Sequence, residues 1–309
     1  MQPITATKAL YIKLGGGSDW ADDCVKNGYI KLGYIDVDHK LCSQGLWEEL
    51  KADFPYGNNP GAKTRHINQV QKFYEEPEST LWIMFHGGAL YWCFSKPEIT
   101  IHPDNTKTRP VLSGWSKTSI TGSELITGRL SGKLLATQSF QGTICDVREL
   151  NYLLHKINGT MEPHVAKAED AMEALIEATI PIIKNLHPDD FEILTDLIFR
   201  QAGWQRTGVT GGTLKDIDLD LISPLTNERV AVQVKSTASR GVYNACKNQF
   251  EQLAGFSRYY FVTHSPSDDL LKKVEIDDKD DQIIFWNART LGEYSVKNGL
   301  VGWLINKAT

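Results

Sequence analysis

The sequence predicts two units of different fold class. The first half is mainly β with short helices. The second is mixed α/β, with elements in the order α-β-β-α-β. Three observations carry this reading. Apolar residues alternate in short, glycine-punctuated runs before residue 160 and form helical stripes after 187. An alanine-rich helical stretch occupies 163–185, between the two patterns. The chain has 309 residues, and domains usually hold about 100–200. With 41% hydrophobic and 23% charged residues, the composition excludes wholesale disorder, collagen and coiled coil. The expected division is 1–160, a helical linker 161–186, and 187–309.

In the first half, Leu10, Ile12 and Leu14 alternate with polar partners and predict a half-buried strand. Gly15, Gly16 and Gly17 then turn the chain. No GKS, GKT or GxGxxG follows, so this run reads as a turn rather than a phosphate loop. A short helix around Trp20–Lys26 leads to a strand at Tyr29–Tyr34. Ile67, Val70 and Phe73 place a helix over 64–74. Thr80–Phe85 and Ala89–Phe94, joined by His86-Gly87-Gly88, form a hairpin signal. Short strands are expected to continue through 110–148, and the half as a whole is expected to form a small barrel.

At the join, Ala166, Ala168, Ala171, Ala174 and Ala178 favour a helix that Pro181 ends or kinks. Asp189 and Asp190 are expected to cap the next helix, Phe191–Gly203, whose apolar stripe is Phe191, Leu194, Leu197 and Ile198. Strand 216–222, a turn at Pro224–Asn227, strand Val230–Lys235, helix Asn244–Phe256 and strand Tyr259–Thr263 follow. Strand Ile283–Trp286, helix Thr290–Lys297 and a terminal segment around Trp303-Leu304 close the unit. The sum is a mixed α/β layer fold.

The net charge is -5, but it is uneven. Residues 1–160 hold 17 basic and 16 acidic residues, a net of +1. The remaining 16 basic and 22 acidic residues give -6. Whole-chain charge therefore offers no nucleic-acid signal, and local distribution decides. The acidic run Asp268, Asp269, Glu275, Asp277, Asp278, Asp280 and Asp281 reads as a solvated loop. Five scattered cysteines without a CxxC argue against a disulfide framework and a cysteine-rich zinc site. No apolar run is long enough to span a bilayer. A soluble protein of a reducing cytoplasm, with no membrane partner, is expected.

The sharpest chemical signal is KDIDLDLISPLTNERVAVQVKS, residues 215–236. Asp216, Asp218 and Asp220 share one strand face, and Ile217, Leu219 and Leu221 the other. On the next strand Gln233 and Lys235 share a face while Val232 and Val234 enter the core. The turn brings the polar faces together. Carboxylate and amide oxygens beside a buried sheet suit Mg²⁺, with Mn²⁺ a possible substitute. Such an ion can polarise a phosphodiester and acidify a water. Lys235 can orient that water and stabilise developing charge. Glu192 on the preceding helix can add a carboxylate at the site edge. A bare DxD would read instead as charge protecting a sheet edge.

This segment resembles the PD-(D/E)xK nuclease core, in the branch with glutamine in place of the acidic residue, and is similar to Mrr-type restriction endonucleases. The resemblance covers Pro188–Ser265. It rests on Phe191-Glu192, on Val232-Gln233-Val234-Lys235, and on Gln249–Gly255 followed by Tyr260–Thr263. It implies a Mg²⁺-dependent phosphodiesterase with Asp218, Gln233, Lys235, Glu192 and Asp220 as catalytic residues and Asp218, Gln233 and Asp220 as metal ligands. That family usually has GID before the hydrophobic strand. Here Asp218-Leu219-Asp220 leaves the ligand open, with Asp218 first, Asp220 close behind and Asp216 third.

The first half carries Trp20, Trp47, Trp82, Trp92 and Trp115. Most aromatics in a small β domain are core, but an aromatic sandwich around a flipped base is a way to read a modified nucleobase. The YIKLGGGSDW…YIKLGY pattern is distantly similar to the opening of PUA-superfamily domains, which include the EVE, YTH and ASCH modules. That resemblance covers roughly 8–95 and implies a base reader, with Trp20, Trp82 and Trp92 as base-binding candidates. Lys63, Arg65, Lys72, Lys107, Arg109, Lys117, Arg129 and Lys133 are candidates for phosphate contact.

The joint expectation is a modification-dependent DNA endonuclease of restriction type, acting on double-stranded DNA as a homodimer. Its competitors are a non-catalytic nucleic-acid-binding protein and an RNA-processing or repair nuclease.

Overall fold

The computed structural model describes residues 2–207, 217–277 and 282–309. Asp216, Asp278, Asp280 and Asp281 lie outside the described residues. The chain divides into two compact units, Met1–Glu162 and Pro163–Thr309.

The first unit runs β1 (Ala9–Ile12), α1 (Ala21–Asn27), β2 (Tyr29–Leu32), α2 (His39–Ser43), α3 (Trp47–Ala52), α4 (Pro60–Glu75), β3 (Leu81–His86), β4 (Ala89–Phe94), β5 (Thr100–Ile101), β6 (Lys107–Pro110), α5 (Gly132–Leu135), β7 (Ile144–Asp146) and α6 (Leu150–Asn158). One sheet has the order β4-β3-β1-β7 and a second the order β2-β6-β5. A single bridge, Ser95↔Val111, links the end of β4 to the end of β6. In place of a closed barrel the unit therefore has two joined sheets. The strands expected through 110–148 reduce to β7. Most of that stretch is irregular chain and short helix, because its glycines break each run before a ladder forms.

The expected half-buried first strand is buried on both faces. Leu10 and Ile12 pack with Phe73 and Trp82. Ala9 and Tyr11 pack on the other side with Ile83 and Phe85. Tyr11 falls among the polar partners of that alternation, but its ring is core and burial pushes its hydroxyl pKa up to about 12. The turn after β1 requires its glycine. Gly15 has φ +84°, and a Cβ there would stand 3.1 Å from the Trp20 ring. The β3–β4 hairpin turns through Gly87 and Gly88, both with positive φ, as a two-residue connection demands.

Two of the expected phosphate-contacting cations are interior. Lys107 donates to the carbonyls of Tyr34 and Val37. Arg109 donates to those of Lys96, Phe73 and Glu76. Both side chains are buried, and they satisfy backbone oxygens left over in the connections and in the last turn of α4.

The second unit runs α7 (Pro163–Lys184), α8 (Pro188–Gln201), β8 (Gln205–Arg206), β9 (Leu219–Ile222), β10 (Arg229–Ala238), α9 (Arg240–Phe250), β11 (Arg258–Pro266), α10 (Asp268–Asp277), β12 (Ile283–Trp286), α11 (Ala288–Lys297) and α12 (Val301–Ala308). Its mixed sheet has the order β12-β11-β10-β9-β8. β10 is parallel to β11 and antiparallel to β9. On one face Val230, Val232 and Val234 join Leu219, Leu221 and the α8 stripe Phe191, Leu194 and Ile198. On the other, Ala231 packs with Tyr243 and Phe250 of α9 and with Tyr259 and Phe261 of β11.

Several boundaries differ from expectation. α7 continues through Pro181 to Lys184 and belongs to the second unit, where Gly292 of α11 lets Thr179 approach. His187, not Asp189 or Asp190, caps α8: its Nδ1 accepts from the Asp189 N–H. The two aspartates instead occupy the first turn, where they favour the helix dipole. α9 starts four residues early because Ser239 caps it, accepting from the Val242 N–H. Asp268–Asp277 is helical rather than a loop.

Candidate active site

β9 pairs with β10 only as far as Leu219↔Val232. Beyond that point β10 runs on to Ala238, and no strand among the described residues pairs with it on that side. Asp218 stands on that side. Its Oδ2 accepts from the Val234 N–H at 2.6 Å and from Gln233 Nε2 at 2.5 Å. One carboxylate oxygen thus takes the place of a strand for Val234 and fixes the neighbouring amide. Gln233 is 4% exposed and belongs to the strand face opposite the valines. With its nitrogen turned to Asp218, the amide oxygen is the end that can meet a cation. Lys235 is two residues further along the same face, half-buried, in register with Thr263 of β11.

Glu192 enters from the second turn of α8. Arg206 Nη2 lies 3.5 Å from its Oε1 and donates to the Asp218 carbonyl at 2.9 Å. Burial pushes the Glu192 carboxyl pKa up, the Asp218 carboxylate adds to the shift, and Arg206 opposes it. Glu192 and Asp218 are therefore close enough to repel. A cation between them would relieve that repulsion. Sequence reasoning missed Arg206. It sits in a two-residue strand outside every motif, and no spacing signal marks it.

Asp220 is placed differently. Arg229 Nε donates to its Oδ1 at 2.8 Å, and Arg229 Nη2 bonds its other oxygen. This bidentate bond holds the Asp220 carboxyl below the usual carboxylate range. A group with a depressed folded-state pKa stabilises above its unfolded value, and that stability is lost as pH falls through the depressed value. Asp220→Asn is expected to flatten the acid limb of the stability–pH curve, measured by thermal unfolding from neutral pH downward, while cleavage persists.

Among the described residues no three His, Cys, Asp or Glu side chains form a metal-binding group. The donors that do come together, the Asp218 carboxylate and the Gln233 amide, offer only oxygen. This fits a hard ion that keeps most of its shell for water and phosphate, as Mg²⁺ does.

The three tryptophans proposed for base binding are not an exposed set. Trp82 is 0% exposed, edge-on to Phe73 with Arg109 5.7 Å from its ring. It is core, and its removal from a closed interior leaves a large void. Trp82→Ala is expected to cost about 3–5 kcal/mol of stability, read as a lowered midpoint in chemical denaturation. Trp20 is half-buried against the same cluster, with Lys31 4.9 Å from its ring. Trp92 is half-buried, and its Nε1 donates to the Thr118 carbonyl at 2.8 Å.

No protein-family model matches the sequence, and no curated protein is found similar to it. Two solved structures do match. One is the MspJI restriction endonuclease in complex with a 27-mer oligonucleotide, at 12% identity over 91% of this chain and 74% of that chain, with TM-score 0.30. The other is the DNA modification-dependent restriction endonuclease AspBHI, at 14% identity over 77% of this chain and 70% of that chain, with TM-score 0.30. With overlap this partial, the chemistry of the site stands on this chain's own residues. Among the described residues no helix is long and apolar enough to cross a membrane.

Proposed function

We propose that the chain is a Mg²⁺-dependent endonuclease of restriction type that hydrolyses phosphodiester bonds in double-stranded DNA carrying a modified base. The observation that carries the catalytic part is the Asp218–Gln233 contact beside the end of β9, with Lys235 next on the same face of β10. Asp218 and Gln233 would hold the ion through oxygen. When bound, Mg²⁺ supplies positive charge at the scissile phosphate and acidifies water there. Lys235 orients the attacking water and stabilises the negative charge that grows on the phosphorane oxygens. Glu192 accepts a proton or a water hydrogen bond at the edge, and Arg206 holds it there. Asp220, engaged by Arg229, braces the hairpin.

Dependence on a modified base is assigned to the first unit, whose cavities and near-neutral charge favour a pocket over phosphate attraction alone. Two antiparallel strands and one site per chain match a two-fold pair of chains on the duplex, the homodimer of this reading. Five free thiols suit a reducing cytoplasm.

The test is cleavage of otherwise identical duplexes with and without modified cytosine or adenine. Strand scission is expected with Mg²⁺ or Mn²⁺, to vanish in EDTA, and to return when Mg²⁺ is restored. Cutting that persists after full chelation excludes this mechanism. Binding without scission in any divalent ion favours the non-catalytic reading, and cutting of RNA alone favours the RNA-processing one.

A further inference from the structure

The first unit contains a cavity of about 380 Å³ between α4 and the loop that leads into β7. We propose that this cavity receives a nucleobase turned out of duplex DNA; the inference rests on the base-reading half of the proposed function and deepens it.

The cavity is built rather than incidental. Its floor is Gln69, 6% exposed, whose Oε1 accepts from the Thr143 N–H at 2.5 Å and the Ile144 N–H at 3.1 Å. Its Nε2 donates to the Arg65 carbonyl at 3.0 Å. One amide thus ties the loop to the helix. Lys13 ties it again through the Phe140 carbonyl. Gly142 is where the loop closes on this floor. A Cβ there would come within 2.6 Å of the Phe140 ring and closer still to Gln69 Oε1.

Two rings line the space. Phe140 belongs to the loop, and His66 belongs to α4. The imidazole is fixed from behind: its Nδ1 is 2.7 Å from the Tyr34 hydroxyl, and the Tyr34 and Tyr56 rings lie 5.7 and 6.2 Å away. A flat heterocycle gains from stacking on such a surface whatever its identity. The amides of Asn68 and Gln141, also in the lining, can meet a base edge through both donors and acceptors.

Charge separates this cavity from its neighbours. Arg65 and Lys72 are in its lining, together with Asp146, which pairs with Lys72 and leaves Arg65 as the cation in excess. The cavity of about 460 Å³ at α2 has Glu75 and neither lysine nor arginine in its lining. The cavity of about 410 Å³ at Gly87 and Gly88 also has neither. A base arrives attached to phosphates, and the α4 cavity is the one of the three with cations to meet them.

The experiment uses the full chain in EDTA, so that binding is read without cleavage. Fluorescence anisotropy compares duplexes of one sequence bearing 5-methylcytosine, 5-hydroxymethylcytosine, N6-methyladenine or no modification. Phe140→Ala is expected to weaken binding of the preferred modified duplex about tenfold or more, the range of one lost base–aromatic stack. Its binding to unmodified duplex and its melting temperature should stay near wild type. Arg65→Ala should weaken both duplexes alike and lower the salt dependence. Gln138→Ala, in the cavity at Gly87, should change neither. A folded Phe140→Ala protein that keeps the full preference overturns the cavity assignment and leaves the base-reading function standing. A wild-type chain with no preference among the duplexes overturns both. Tighter binding to a modified RNA of the same sequence overturns the assignment to DNA.

Discussion

Lys235→Ala is expected to lower strand cleavage by about a hundred- to a thousandfold, the usual cost of deleting one donor aimed at developing charge. DNA affinity should change little. The side chain is half-buried on the face opposite Val232 and Val234, so the hydrophobic packing of β10 does not depend on it. The backbone of Lys235 pairs with β11 in register with Thr263, and alanine preserves that pairing. Single-turnover cleavage with Mg²⁺, beside anisotropy binding and a thermal melt, separates the three properties. Lys235→Arg should not restore the rate, because a planar guanidinium does not reproduce a compact ammonium. Wild-type cleavage by the alanine variant would refute the catalytic role of this residue.

The elements nearest this lysine were the most legible in sequence. Alternation placed Gln233 and Lys235 on one face of β10 and the valines on the other, and the structure does the same. The hairpin was readable because Pro224–Asn227 separates two apolar runs. Asn227 adopts φ +56°, a conformation asparagine tolerates. What sequence could not resolve was which aspartate meets the Val234 N–H. Asp218 and Asp220 have the same parity, so alternation treats them alike. The difference comes from the end of β9, which leaves Asp218 at the Val234 N–H, and from Arg229, which engages Asp220.

The first unit was less legible for a related reason. Its interior includes polar side chains that satisfy irregular backbone, and sequence gives these no signature. Lys107 and Arg109 read as surface cations, yet they are buried among carbonyls. Tryptophan content suggested a base pocket, but Trp82 is core and Trp92 bonds Thr118. The rings that line the α4 cavity are Phe140 and His66, which no periodicity singles out.

Asp218 supports the larger of two contrasts between substitutions at one position. Asp218→Ala removes the acceptor of both the Val234 N–H and Gln233 Nε2. Leaving a buried donor unsatisfied costs about 1–3 kcal/mol, so the alanine variant should be both inactive and less stable. Asp218→Asn keeps an oxygen for the Val234 N–H and loses the negative charge. It should melt close to wild type, yet cleave at least a hundredfold more slowly, on the scale of a lost electrostatic contact to the reacting group. Calorimetric titration with Mn²⁺ in the presence of uncleaved DNA should show weakened ion binding in both variants. The matched control is Asp220→Asn, which removes a carboxylate engaged by Arg229 rather than the one bonded to Val234 and Gln233. It should retain cleavage and Mn²⁺ binding. If instead Asp220→Asn is inactive and Asp218→Asn cleaves normally, the metal ligand is Asp220, and the Asp218 carboxylate serves only to complete the edge of β10.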